Sequence, residues 1–176
     1  MLYALVIACE VAFWVLVLAG LAVRYLARRP RAGAVLLAAA PAVDLVLVAV
    51  VTLDLRAGAV ATTGHALAAV YVGVSVGFGS AMVRWADERF AHRFADGPAP
   101  TPRPRSGRPH AARERRALAR HAVAFTVGAA LLGGAILLVG DPGRTEAFAR
   151  LLGLWTVVLA VDVVWSLSYT VRPRRA

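Results

Sequence analysis

Lysine is absent from these 176 residues, and cysteine occurs once. The lone Cys9 sits in an apolar run, which excludes an intrachain disulfide, a CxxC redox pair and a cysteine-based zinc site. No nucleophile and base stand at a motif spacing, and no cluster of ligating residues marks a metal centre. Gly73 to Gly79 is not a nucleotide loop, because it lies inside an apolar run with no strand before it. With none of these signatures, no cofactor is expected and an enzyme is the least favoured class.

What the chain does have is apolar length. Sixty per cent of its residues are hydrophobic, the mean hydropathy is +0.67, and soluble domains hold roughly 45–50% apolar residues. The excess falls in five blocks, each close to the ~20 residues that cross ~30 Å of hydrocarbon. The blocks predict helices over about residues 2–26, 34–53, 59–83, 118–139 and 147–171. The first has no basic leader and carries Glu10 early, so it reads as an uncleaved helix and not as a signal peptide. Beyond the third block, Met82, Ala86, Phe90 and Phe94 recur every four residues, which extends that helix to 94 with one apolar face. Arg84 and Glu88 are spaced to pair on it.

Residues 95–112 contain five prolines among arginines and glycines and predict a flexible loop. The remaining connections are short. Gly140-Asp141-Pro142-Gly143 is a turn, followed by Thr145 as candidate N-cap and Glu146 at the positive helix end. Short connections make neighbouring helices antiparallel. The fold class is therefore all-α, a five-transmembrane-helix bundle forming one integral membrane domain over 1–176.

The twenty arginines set its orientation. Seventeen flank the first connection, the third connection and the tail, and three (Arg56, Arg144 and Arg150) fall on the opposite side. Arginine accumulates on the cytoplasmic side of membrane proteins. This places the N-terminus outside, the C-terminus inside, and the chain in the bacterial cytoplasmic (inner) membrane as a multi-pass protein. The basic excess invites a nucleic-acid reading. The Arg residues of the loop are broken by proline and lack interleaved aromatics, so contact with anionic lipid headgroups is the simpler account, and no nucleic-acid partner is expected. Arg28, Arg29, Arg84, Arg115 and Arg116 are the candidate headgroup contacts.

Four ionisable residues lie inside the apolar runs: Glu10, Asp44, His65 and Asp162. Such groups cost about 2.5–3.5 kcal/mol at the bilayer centre and usually face a bundle interior or a cavity. Counting along the helices puts Asp44 near the midplane, Glu10 and His65 ~10–12 Å deep from the outer side, and Asp162 in the inner half. Tyr3, Glu10 and Trp14 share one helix face, and Trp155, Asp162, Trp165 and Tyr169 share another. These faces read either as a polar pathway or as interhelical hydrogen bonding with interfacial aromatics, and the second is the commoner use. Gly73/Gly77 and the pairs Ala129/Gly133 and Ala130/Gly134 have the four-residue spacing that lets helices approach, within one chain or between copies.

Gly64-His65-Ala66-Leu67-Ala68-Ala69-Val70-Tyr71-Val72-Gly73, Arg84-Trp85-Ala86-Asp87-Glu88-Arg89-Phe90-Ala91-His92-Arg93-Phe94, and Arg31-Ala32-Gly33 with Asp44-Leu45 and Asp54-Leu55-Arg56 carry a resemblance. They resemble a family of small, uncharacterised bacterial inner-membrane proteins. The resemblance implies a membrane location and brings no activity, cofactor or site residue. The expected function is that of an accessory or structural membrane protein acting through helix–helix and lipid contacts, with a homo-oligomer or another membrane protein as partner. The alternative is a small proton- or cation-coupled transporter, or a subunit of one, working through the intramembrane acids.

Overall fold

The computed structural model describes the chain over residues 2–94, 97–100 and 106–171. Within the helices it describes all side chains except those of residues 2–6, Cys9, Glu10, Asp44, Phe94, Thr170 and Val171. The described residues are all-helical: α1 (Leu2–Tyr25), α2 (Pro30–Arg56), α3 (Thr63–Phe94), α4 (Gly107–Val139) and α5 (Glu146–Val171). The segments Pro30–Arg56, Thr63–Arg93, Gly107–Val139 and Glu146–Tyr169 are each long and apolar enough to cross a membrane. The searched part of α1, Val11–Tyr25, is apolar as well.

Three helix starts lie four residues or more from those the apolar blocks predict, each for a local reason. Helix α2 starts at Pro30 and not at Ala34, with the proline in its first turn, where a backbone N–H has no intrahelical partner to lose. Helix α3 starts at Thr63 and not at Ala59. Gly58 takes φ 117°, and the Ala61 N–H donates to the Arg144 carbonyl at 2.8 Å, which holds this connection out of the helix. The largest correction concerns α4. It starts at Gly107 and not at Leu118, so residues 107–112, expected in the flexible loop, are helical. Pro109 sits in the first turn, and the Ala- and Arg-rich stretch behind it consists of good helix formers despite its charge. Of the rest of that loop, residues 95–96 and 101–105 lie outside the described residues.

The chain gathers into two compact units, one of residues 1–72 with 128–151 and one of residues 73–127 with 152–176. In the first unit, α1 and α2 form an antiparallel hairpin. Their backbones come so close that a Cβ on Gly33 would fall 2.5 Å from the Arg24 Cβ and 2.7 Å from the Gly20 carbonyl oxygen. A Cβ on Gly20 would stand 2.8 Å from the Leu37 side chain. The turn between them is closed by Arg28 in the left-handed region at φ 54°, a conformation costly for any residue with a Cβ.

The 140–145 turn is a hydrogen-bonded knot in the same unit. The Asp141 Oδ1 accepts from the Gly143 N–H at 2.9 Å, and its Oδ2 pairs with the Arg144 Nε at 3.0 Å. Arg144 also donates to the Leu55 carbonyl at 3.3 Å, meeting an oxygen at the C-terminal end of α2. Thr145 is fully buried, and its hydroxyl donates to the Asp141 carbonyl at 2.9 Å. It therefore closes the turn and does not cap α5 with its side chain.

In the second unit, α3 packs on α4 through Gly77. A Cβ there would meet the Arg120 carbonyl oxygen and, at 2.9 Å, the Ala124 Cβ. The Gly73/Gly77 spacing is thus used inside the chain at its second glycine, whereas Gly133 and Gly134 face open space. Among the described residues, Arg84 and Glu88 form no ion pair with each other; Arg89 lies over the Trp85 ring at 4.0 Å instead.

Candidate polar site between helices α4 and α5

Asp162 finds its partner on α4, in a residue the apolar pattern did not single out. His121 Nδ1 and Asp162 Oδ2 are 2.8 Å apart, with side chains 15% and 34% exposed. The other ring nitrogen is occupied too, because the Trp155 indole N–H donates to His121 Nε2 at 3.1 Å. An indole nitrogen can only donate, so Nε2 must be the unprotonated nitrogen. A neutral imidazole then carries its proton on Nδ1, and that proton is given to the Asp162 carboxylate. The two neighbours together define the tautomer.

The sequence builds this arrangement from helix spacing. Trp155 and Asp162 are seven residues apart and share one face of α5. The Trp155 ring is buried edge-on against Phe125 of α4, with centroids 5.5 Å apart. Phe125 is one turn beyond His121, so the indole is gripped at its ring by one residue and at its nitrogen by the other.

The same two faces continue towards the start of α4. Ser166, one turn after Asp162, is 1% exposed, and its hydroxyl has no hydrogen-bond partner among the described residues. Farther along, the His110 and Tyr169 rings meet edge to face at 4.8 Å. His110 Nδ1 stands 3.9 Å from Glu114 Oε1. The contact of α4 with α5 in this unit is therefore a seam of polar side chains, with Trp155 at one end and His110 at the other.

The other expected residues lie elsewhere. His65 is in the first turn of α3, where Thr62 precedes the helix. The His65 N–H donates to Thr62 Oγ1 and the Thr62 N–H donates to His65 Nδ1, both at 3.4 Å. This is the reciprocal geometry of a capping box with histidine in the place usual for Glu or Gln. The side chains of Glu10 and Asp44 lie outside the described residues. Arg28, Arg29, Arg84, Arg115 and Arg116 are all exposed. Arg29 borders a wide open groove of about 750 Å³, otherwise lined by Val23, Ala27, Ala32, Val35 and Leu36. Among the described residues, no group of three potential ligands is placed to hold a metal ion.

A protein of Bacillus subtilis (strain 168), the uncharacterized membrane protein YmcC, is 40% identical to this chain over 171 residues. The match covers 97% of this chain and 92% of the relative. The chain belongs to the YmcC family. It is a multi-pass membrane protein, as the apolar helices independently require. No family model and no solved structure matches. Membership of the YmcC family thus fixes where the protein resides and leaves the α4–α5 seam to be read from its own geometry.

Proposed function

We propose that the protein is an accessory component of the bacterial cytoplasmic membrane that acts through helix–helix and lipid contacts, as a single integral membrane domain. The observation that carries this reading is the closure of Asp162. The described acid in the apolar part of α5 is held by His121, which is held by Trp155, all within one chain. Interhelical hydrogen bonds of this kind join membrane helices. The apolar side chains that point away, among them Val157, Val161, Val164 and Trp165, are exposed and suit acyl chains.

In this reading the Arg-rich connections lie in the cytoplasm. Exposed Arg28, Arg29, Arg84, Arg115 and Arg116 contact anionic headgroups, each basic residue near the surface adding ~1 kcal/mol. Glycines that face open space, such as Gly133 and Gly134, leave room for another helix from a second copy or a partner protein. The test is extraction with native lipid followed by intact-complex mass spectrometry. A stoichiometric protein partner or retained anionic lipid is expected. Recovery of a bare monomer without bound lipid from membranes rich in anionic lipid would sink the reading.

A second reading, coupling to protons or cations, draws on the contact of a carboxylate with an imidazole inside an apolar helix pair. Its test is a flux assay in vesicles comparing the wild type with Asp162→Asn and Asp44→Asn. Flux unchanged by both substitutions removes these acids from any transport path.

A further inference from the structure

We propose that His121 is a proton-binding site, and that proton binding there and the Trp155 hydrogen bond exclude one another. The proposal does not rest on the accessory reading and holds whether or not the protein has a partner.

The argument is one of valence. His121 has one nitrogen free of hydrogen, Nε2, and Trp155 donates to it at 3.1 Å. On the ring, a proton arriving from water can add only to that lone pair. Once it does, an N–H on the ring faces an N–H on the indole, and neither accepts. The indole must then leave. The proton on Nδ1 stays there and remains hydrogen-bonded to Asp162 Oδ2, 2.8 Å away. The imidazolium charge is met by the carboxylate, so the loaded site has no net charge, and loss of the proton restores the first state. One proton is bound, one hydrogen bond is broken, and the His121–Asp162 bond is kept throughout.

The surroundings support histidine as the group that changes. From α5, Asp162 is the charged group in contact with it. On α4, Arg120 precedes it and Glu114 lies two turns back. Helix α3 meets α4 at Gly77, and the first charged residue beyond that point on α3 is Arg84, two turns on. The carboxylate is thus the ionic group that touches the ring. Of the two hydrogen bonds, the one to Asp162 survives protonation of the ring and the one from Trp155 does not.

Helix α5 also carries a buried group suited to the path. The Ser166 hydroxyl, one turn from Asp162 and 1% exposed, lacks a hydrogen-bond partner among the described residues. A hydroxyl both donates and accepts, so it extends the seam from Asp162 towards the start of α4. The consequence of proton binding falls on Trp155, which is 8% exposed and packed on Phe125. A buried indole that loses its acceptor must find another or repack.

The experiment is nuclear magnetic resonance of the intact protein in lipid nanodiscs, with ¹⁵N in tryptophan and histidine and Trp155→Phe used to assign the indole. At about pH 8 the His121 ring should be the Nδ1–H tautomer. Between about pH 8 and about pH 5, the window in which histidine changes charge, it should become doubly protonated. The Trp155 indole signal should shift with the same midpoint. A starting Nε2–H tautomer, or an indole signal that stays fixed while His121 titrates, overturns the proposal. So does a His121 that never titrates in that window. His121→Gln, whose amide oxygen can still accept from Trp155, should make the indole signal independent of pH; a persisting shift assigns the response to another group. If that variant does not fold, the wild-type measurement alone decides.

Discussion

Two helix pairs in this protein are held by opposite means. The α1–α2 hairpin is joined by the absence of side chains at Gly20 and Gly33, where backbone lies almost on backbone. The α4–α5 pair is joined by side chains that reach across it, in the chain of bonds from Trp155 through His121 to Asp162. Close packing tolerates no added atom and is indifferent to pH. A hydrogen-bonded contact tolerates changes in shape better, but it depends on which proton sits where. A membrane helix pair gains little from hydrophobicity, since lipid is as apolar as leucine, and these are the two resources left to it.

The contrast is sharpest in its response to substitution. Gly33→Ala should have the largest effect. Its Cβ would meet the Arg24 Cβ and the Gly20 carbonyl at sub-contact distances, and overpacking of this kind costs ~1–3 kcal/mol or more. Loss of folded material after extraction, read by size-exclusion chromatography, is expected, and a fully stable variant would mean that the hairpin is looser than described. His121→Ala should follow. It leaves Asp162 and Trp155 without their partner, and interhelical hydrogen bonds in membranes are worth ~0.6 kcal/mol on average and up to ~1.7. The check is a downward shift in thermal unfolding relative to the wild type.

Thr62→Val removes the cap at the start of α3, a change worth ~0.5–2 kcal/mol in soluble hosts. The lower end is expected here, because the capping contacts are long at 3.4 Å. Its signature is faster amide exchange confined to the first turn of α3. Gly133→Ala should have the smallest effect on the monomer. Nothing stands near the position, and alanine favours a helix over glycine by up to ~1 kcal/mol. A small rise in stability is expected, and a fall would reveal a helix seated there in the native assembly.

The fold was far more legible in the sequence than the site. Five apolar runs give five helices because hydrocarbon length is a coarse requirement that composition alone satisfies. The errors fell where composition misleads: at Pro30 and Pro109, prolines that begin helices and do not break them, and at residues 107–112, where charge resembled disorder. Asp162 and Trp155 stood out on one face, yet their partner His121 did not, because it lies beside Arg120 at the end of an arginine-rich stretch. Its tie to Asp162 spans 41 residues. A signal was nonetheless present. His121 lies as far before the Asp141 turn as Asp162 lies after it, to within one residue, and antiparallel helices oppose residues equidistant from their turn. The same count about the Arg28–Arg29 turn pairs Gly20 with Leu37 and Arg24 with Gly33. His65 needed more than counting, since its capping role depends on where α3 begins.

The lengths of α3 and α4 carry a consequence for handling the protein. At 32 and 33 residues and ~1.5 Å per residue, each is close to 50 Å long, well beyond the ~30 Å hydrocarbon core. The surplus lies at the ends that hold Arg84, Arg89 and Arg93 on one helix and Arg108, Arg113, Arg115 and Arg116 on the other. Apart from Arg108, whose bond to Pro109 resists the enzyme, these are cleavage points for trypsin. In sealed vesicles of known sidedness, a protease confined to one compartment would nick the chain there from one side only. The overhang thus serves as an endogenous sidedness marker, recording by fragment size how each molecule was inserted.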